Sequence, residues 1–338
     1  MDERPQRGVW WWVKRLVWGA LIAIAALLAT GLLYQTAANV VAANTYPPPG
    51  QLVDVGGHRL HLYCLGEGSP TVILETGLGD NSTIWSLVQP GIAETTRVCA
   101  YDRAGFGWSD DGPPPRDSES IVHELKTLLA NAGIEPPYVL VGHSIAGLHS
   151  RLYAHQYPQD VVGMVLIDPS HEEQGERFPA VLMALQDEDI RLFNLCRFAA
   201  PFGIVRLLGV FNHSALPLDV RQAADMLSYQ NRLCRSILLE IEEAEPNTEQ
   251  MAGVDSLGDT PLVVLSRGRP PSLNDMPSGA TAELVEQMEL VWQELQKEHA
   301  ARSSKGRQII ARESGHYIHI GQPQLVIEAV RQVVEQAR

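Results

Sequence analysis

The sequence predicts an α/β fold: a mainly parallel central sheet flanked by helices, with an inserted helical lid and an N-terminal transmembrane helix. Three observations predict it. Short apolar runs alternate with helix-compatible stretches along residues 51–338. One long interval, residues 169–259, holds helical patterns and no strand pattern. Residues 16–34 carry no charged side chain. As a helix they cover roughly 28 Å, close to the hydrocarbon thickness of a bilayer.

Residues 1–15 read as a cytoplasmic segment and 16–34 as the anchor. Arg4, Arg7, Lys14 and Arg15 precede the apolar run against only Asp2 and Glu3, and no charge follows it until Asp54. That asymmetry puts the N-terminus in the cytoplasm and the remainder outside. Trp10, Trp11, Trp12 and Trp18 fall at the inner interface and Tyr34 at the outer one. The run is longer than the apolar core of a cleavable signal, although Ala42 and Ala43 suit a peptidase. A retained anchor and a secreted, cleaved form therefore both stand. Residues 35–50, ending in Pro47-Pro48-Pro49-Gly50, read as a linker.

The core reads as residues 51–168 and 260–338. Residues 51–55 and 59–65 form an opening hairpin around Gly56-Gly57. Further strands fall at 71–74, 98–101, 139–141, 162–167, 262–266 and 308–311. Ile121, Leu125, Leu128 and Leu129 give 118–131 a helical period, stopped by Gly133. A last helix covers 323–336, with Pro323 in its first turn. The interval 169–259 is too long for a loop. Its helical patterns, 181–199 and 220–245, read as a lid above the sheet's C-terminal edge. A structural insertion without a gating role is the alternative.

The most specific stretch is Val141-Gly142-His143-Ser144-Ile145-Ala146-Gly147. An apolar strand ends in a serine, small residues flank it at two positions either side, and a helix-compatible run follows. A serine nucleophile is mounted this way, on a sharp strand-to-helix turn. The pattern G-x-S-x-G wants glycine where Ala146 stands, a difference of one methyl group. Three other landmarks accompany it in order. They are Val72-Ile73-Leu74-Glu75-Thr76-Gly77-Leu78-Gly79, Tyr101-Asp102-Arg103-Ala104-Gly105-Phe106-Gly107-Trp108-Ser109, and Gly315-His316.

On these four landmarks the chain resembles the α/β-hydrolase family from about residue 51 to 338. The resemblance implies Ser144 as nucleophile and His316 as its base, with His319 the nearest rival. It implies an oxyanion hole from the backbone N–H groups of Leu78 and Ile145. The family's His-Gly before that loop is Thr76-Gly77 here. Asp102 and Arg103 read as supports for the loop beside the site. The acid is less direct. The usual position follows the strand at 262–266, where this chain has Arg267-Gly268-Arg269 and no acid until Asp275. A cation there disfavours an imidazolium. Asp168, at the end of the preceding strand, fills the family's alternative position, with Asp275 and Glu172 as rivals.

A net charge of −14 argues against nucleic-acid binding, which wants a basic face. Cys64, Cys99, Cys196 and Cys234 lack metal-ligand spacing, so neither a metal nor another cofactor is implied. The resemblance puts Cys64 and Cys99 on neighbouring strands, and Cys196 and Cys234 share the lid; buried free thiols are the alternative. The resulting expectation is a membrane-anchored serine hydrolase. It would cleave an ester or related acyl bond of a small or lipid-like substrate, as carboxylesterases and lipases do. Acyltransferase or lyase chemistry on the same triad, and a non-catalytic ligand-binding relative, remain open. The missing acid after 262–266 is the feature that favours the non-catalytic reading.

Overall fold

Apolar runs without alternation mark strands covered on both faces, and the sheet in the computed structural model is of that kind. The structure describes residues 8–338 except Gln186 and Asn212; the side chains of 187–189 and 244–246 are not described. Arg4 and Arg7, with Asp2 and Glu3, therefore lie outside the described residues.

Among the described residues eight strands form one sheet. They are β1 (Gln51–Asp54), β2 (Arg59–Leu65), β3 (Thr71–Glu75), β4 (Val98–Tyr101), β5 (Tyr138–His143), β6 (Val161–Ile167), β7 (Leu262–Arg267) and β8 (Gly306–Ala311). The spatial order is β1-β2-β4-β3-β5-β6-β7-β8. β2 runs antiparallel to β1 and β4; all later pairs are parallel. β3, β4, β5 and β7 are buried along their whole length.

The helices are α1 (Val9–Thr45), α2 (Gln89–Ala93), α3 (Ser118–Asn131), α4 (Ala146–Gln156), α5 (Gln174–Arg177), α6 (Ala180–Leu185) and α7 (Asp187–Ala199). They continue with α8 (Ile204–Leu208), α9 (Leu218–Ser228), α10 (Leu233–Glu242), α11 (Ala244–Gln250), α12 (Ala282–Ala301), α13 (Ile318–Gly321) and α14 (Pro323–Ala337). α3 starts where the Asp117 carboxylate accepts the Ser120 N–H at 2.9 Å, an N-cap worth about 1 kcal/mol. Its Val122, Leu125, Leu128 and Leu129 share one apolar layer with Leu148 and Leu152 of α4. Val326, Ile327, Val330, Val333 and Val334 of α14 share the layer on the other face with Ile92 of α2.

α5 to α11 form the insertion between β6 and β7. Disulfides join Cys64 to Cys99 across the β2–β4 pair, and Cys196 of α7 to Cys234 of α10.

Two sequence expectations need correction. Residues 35–45 are not linker but the C-terminal part of α1. Gln35 is buried there, and its amide donates to the Tyr229 carbonyl at 2.7 Å and to Asn231 Oδ1 at 2.9 Å. Second, the helical pattern 220–245 is not continuous: α9 ends at Ser228 and α10 starts at Leu233, and the Tyr229 carbonyl between them accepts from Gln35 of α1. The pattern 181–199 is helical on both sides of Gln186, which lies outside the described residues. α1 is long and apolar enough to cross a membrane.

Candidate active site

Ser144 sits between β5 and α4 with φ of 57°, a left-handed backbone that costs a non-glycine residue about 1–3 kcal/mol. Its N–H donates to the Ile167 carbonyl at 3.1 Å. Its carbonyl accepts from the N–H groups of Gly147 and Ser170, both at 2.9 Å. The turn is tight enough that a side chain at Gly142 would run into the Ala146 carbonyl. The Ala146 methyl itself is fully buried without displacing the turn.

The next strand tip carries the second left-handed non-glycine residue, Asp168, with φ of 43°. Its carboxylate is fully buried. Oδ2 accepts from His316 Nδ1 at 2.7 Å. Oδ1 accepts from the Arg267 backbone N–H at 3.0 Å and from Trp292 Nε1 at 2.9 Å. The Arg267 guanidinium lies 3.2 Å from Oδ2 and also bonds Glu289 on α12 at 2.7 Å. Burial opposes ionisation of Asp168, but the His316 hydrogen bond and the Arg267 charge outweigh it and hold the carboxyl below its ordinary range. His316 lies in the loop after β8 with about a third of its side chain (34%) exposed, so its ring reaches solvent or substrate.

The rival acids lie elsewhere. Asp275 accepts from the Ser272 hydroxyl at 2.7 Å and from its N–H at 3.0 Å, in an exposed capping box. Glu172 is clamped by Arg151 at 2.6 Å and Arg302 at 2.6 Å. Burial pushes its carboxyl up, and Arg151 overrides this and brings it down to about 2.

The loop Thr76-Gly77-Leu78 lies against the serine. A side chain at Gly77 would come within 2.9 Å of His143 Nδ1 and 3.2 Å of Ser144 Cβ. Buried Arg103 holds this loop by donating to the Thr76 carbonyl at 2.5 Å and the Gly77 carbonyl at 2.9 Å. Its other face makes a bidentate pair with Glu240 of α10, both contacts at 2.9 Å, and so ties the insertion to the loop. Asp102 accepts from the N–H groups of Ser82 (2.6 Å) and Trp108 (3.0 Å) and bonds His61 at 2.8 Å. Leu78 lines the cavity beside the site, and Ile145 opens α4 directly after Ser144.

That cavity is about 630 Å³. Leu78, Asp80, His316 and Tyr317 line it from the core, and Phe193, Val210, Phe211, Leu216 and Ile237 from the insertion. Burial pushes the Asp80 carboxyl up to about 6. His143 and His319 are buried behind His316. The His143 ring lies 4.6 Å from each of theirs, and its Nε2 bonds the His316 carbonyl at 3.1 Å. His319 packs on Trp85 and is 4.6 Å or more from its ring neighbours, out of line with Asp168.

Sequence reasoning missed Trp292, Glu289 and the facing role of Arg267. Trp292 is 124 residues from Asp168, and a tryptophan in an amphipathic helix carries no local mark of its partner. Among the described residues His171, Glu173 and Glu298 could gather around a cation, their ligand atoms within 4.8 Å. Arg302 bonds His171 at 3.1 Å and Arg177 bonds Glu298 at 2.8 Å, so guanidinium groups already balance that cluster.

Sheet order, turn and site together define an α/β-hydrolase-fold protein. The chain matches the family described as alpha/beta hydrolase fold over residues 70–195. It is 25% identical over 295 residues to the "AB hydrolase superfamily protein" of Gibberella zeae, covering 80% of this chain and 87% of that protein. The chain spans between 20% and 50% of the length of the first curated relatives it matches. Among solved structures it is similar to an esterase from Thermogutta terrifontis, with a TM-score of 0.60, 18% identity and coverage of 85% and 98%. A putative acyltransferase from Salmonella enterica gives a TM-score of 0.65, 18% identity and coverage of 87% and 98%. At such identities the likeness is one of fold.

Proposed function

We propose that this protein is a serine hydrolase that cleaves an ester or related acyl bond through an acyl-enzyme on Ser144. The observation that carries the reading is the pairing of buried Asp168 with part-exposed His316, 2.7 Å apart, beside a serine held in a left-handed turn. Asp168 fixes the proton on His316 Nδ1, which leaves Nε2 free to take the Ser144 proton. The Ser144 oxygen attacks the acyl carbon. The N–H groups of Leu78 and Ile145 receive the developing oxyanion. His316 returns the proton to the leaving group, and water then releases the acid by the same steps in reverse order.

The test is covalent labelling by a fluorophosphonate. Wild-type protein should label and turn over a p-nitrophenyl ester, and Ser144→Ala should do neither. Undiminished labelling of Ser144→Ala would refute the nucleophile. Labelling without ester turnover would point to a different acceptor, as in an acyltransferase.

The same reading keeps α1 as a retained anchor, with the catalytic domain on the extracytoplasmic side. Two disulfides suit an oxidising compartment. Gln35 and Asn39 of α1 bond the insertion, which gives the helix a structural role after membrane insertion. A reporter fused after Arg338 should be active only outside the cytoplasm. A mature N-terminus near Ala43 would instead identify a cleaved signal.

A further inference from the structure

α1 does not merely precede the domain; it is docked on the helical insertion. Gly31 is packed so closely against the Phe202 backbone that a side chain there would collide with it. The Tyr34 ring covers Gly203. Arg206 donates to Gln35 Oε1 at 3.1 Å and to Asn39 Oδ1 at 2.9 Å.

These contacts set a level. Gln35 is the first strongly polar, buried residue after the apolar run. Gly31 lies one turn earlier, about 6 Å further into that run at 1.5 Å per residue. Phe202 therefore sits inside the polar boundary of the helix rather than beyond it. Residues around it are apolar and exposed: Leu195, Phe198, Ile204, Leu207, Leu208 and Val210 each leave between 43% and 72% of their surface uncovered. Residues 198–218 contain a single Lys, Arg, Asp or Glu, namely Arg206, and its guanidinium is turned onto α1. Contiguous exposed apolar surface of this kind marks an interaction face. Val210 belongs both to this face and to the lining of the active-site cavity.

We propose that this outer face of the insertion is seated in the lipid interface beside α1, so that the active-site cavity opens onto the bilayer and takes an acyl lipid from it. The continuity of the face with α1 selects a bilayer as the occupant: any surface level with Gly31 shares the environment of the apolar helix. Side chains reaching about 5–10 Å below the headgroups are the usual depth for an interfacial apolar face. The substrate class rests on the assignment of Ser144 as nucleophile; the seating rests only on α1 and the face.

The two are tested separately. The full chain, carrying Ser144→Ala and Leu208→Cys labelled with an environment-sensitive fluorophore, is reconstituted into phosphatidylcholine vesicles with spin-labelled lipid. Leu27→Cys in α1 serves as the reference. Quenching at both positions is expected. Quenching at position 27 without quenching at 208 overturns the seating, and quenching at neither overturns it together with the anchor.

For the substrate, Leu207→Glu with Leu208→Glu is compared with the unsubstituted chain on two esters. Hydrolysis of a water-soluble p-nitrophenyl butyrate should stay within threefold. Hydrolysis of a long-chain ester held in vesicles should fall at least tenfold. Equal rates on both esters, or equal losses on both, overturn bilayer access. Loss of fluorophosphonate labelling of the chain with native Ser144 would instead count against the nucleophile and leave the quenching result standing.

Discussion

Asp168→Asn replaces one buried oxygen with an amide nitrogen and leaves the volume unchanged. The structure determines which way the amide must point. Oδ1 receives two obligate donors, the Arg267 N–H at 3.0 Å and Trp292 Nε1 at 2.9 Å. An NH2 group there would face both and strand them without partners, at about 1–3 kcal/mol each. The Oδ2 site meets one obligate donor, the Arg267 guanidinium, which keeps its pair with Glu289, so the amide oxygen takes the Oδ1 site and the NH2 group faces His316. His316 Nδ1 must then accept, which moves its proton to Nε2, the atom that should receive the serine proton. The tautomer error should lower kcat/KM roughly 10²–10⁴-fold, or about 2.7–5.4 kcal/mol of transition-state stabilisation. Hydrolysis of p-nitrophenyl butyrate by the detergent-solubilised full chain measures it, with circular dichroism to check the fold. Loss of less than tenfold in a folded variant would refute the reasoning. Trp292→Phe removes only one of the two donors and should cost much less, roughly 3–30-fold, by loosening the carboxylate rather than inverting the ring.

Other outcomes follow from the same geometry. Ser144→Ala should lower ester turnover on the order of 10³-fold or more, whereas Ala146→Gly should stay within roughly tenfold, since both residues fit the turn. His316→Ala should abolish turnover and His319→Ala should retain most of it, measured on the same ester. Burial, with the charge of His316, lowers His319 to about 3, against an unfolded value near 6.5. The unfolded chain thus binds the extra proton, and the stabilisation is complete above about pH 6.5 and fades as pH falls toward 3. His319→Leu should shift the midpoint of acid unfolding downward, followed by tryptophan fluorescence; an upward shift would contradict the sign. Asp80 has the opposite sign, because burial holds its carboxyl near 6 and ionisation between about pH 4 and 6 weakens the fold. Asp80→Asn should raise the melting temperature at pH 7.5 more than at pH 4.

The sheet and the turn around Ser144 were legible because each rests on local chemistry. Strand runs buried on both faces read as unbroken apolar stretches, and so tight a strand-to-helix turn tolerates only small residues at 142 and 146. Asp168 was legible only through a resemblance, since one aspartate after a strand could equally be a turn residue. The support of that carboxylate was not legible. Arg267 looked hostile to an imidazolium, yet its charge is shared between Asp168 and Glu289. The length of α1 and the break after Ser228 carried no local mark; Gln35 of α1 meets Tyr229 at that break, a contact 194 residues apart in the chain.

Ser144 and Asp168 are the two non-glycine residues with left-handed backbones among those described, and they are stitched together. The Ser144 N–H bonds the residue before Asp168, and its carbonyl bonds the N–H of Ser170, two residues after it. The placement of both side chains is therefore inherited together from one pair of unfavourable backbone torsions. Ser144→Gly would relax the torsion there, whereas Asp168→Gly would relax its own torsion only by stranding the Arg267 N–H and Trp292 Nε1 that its carboxylate receives.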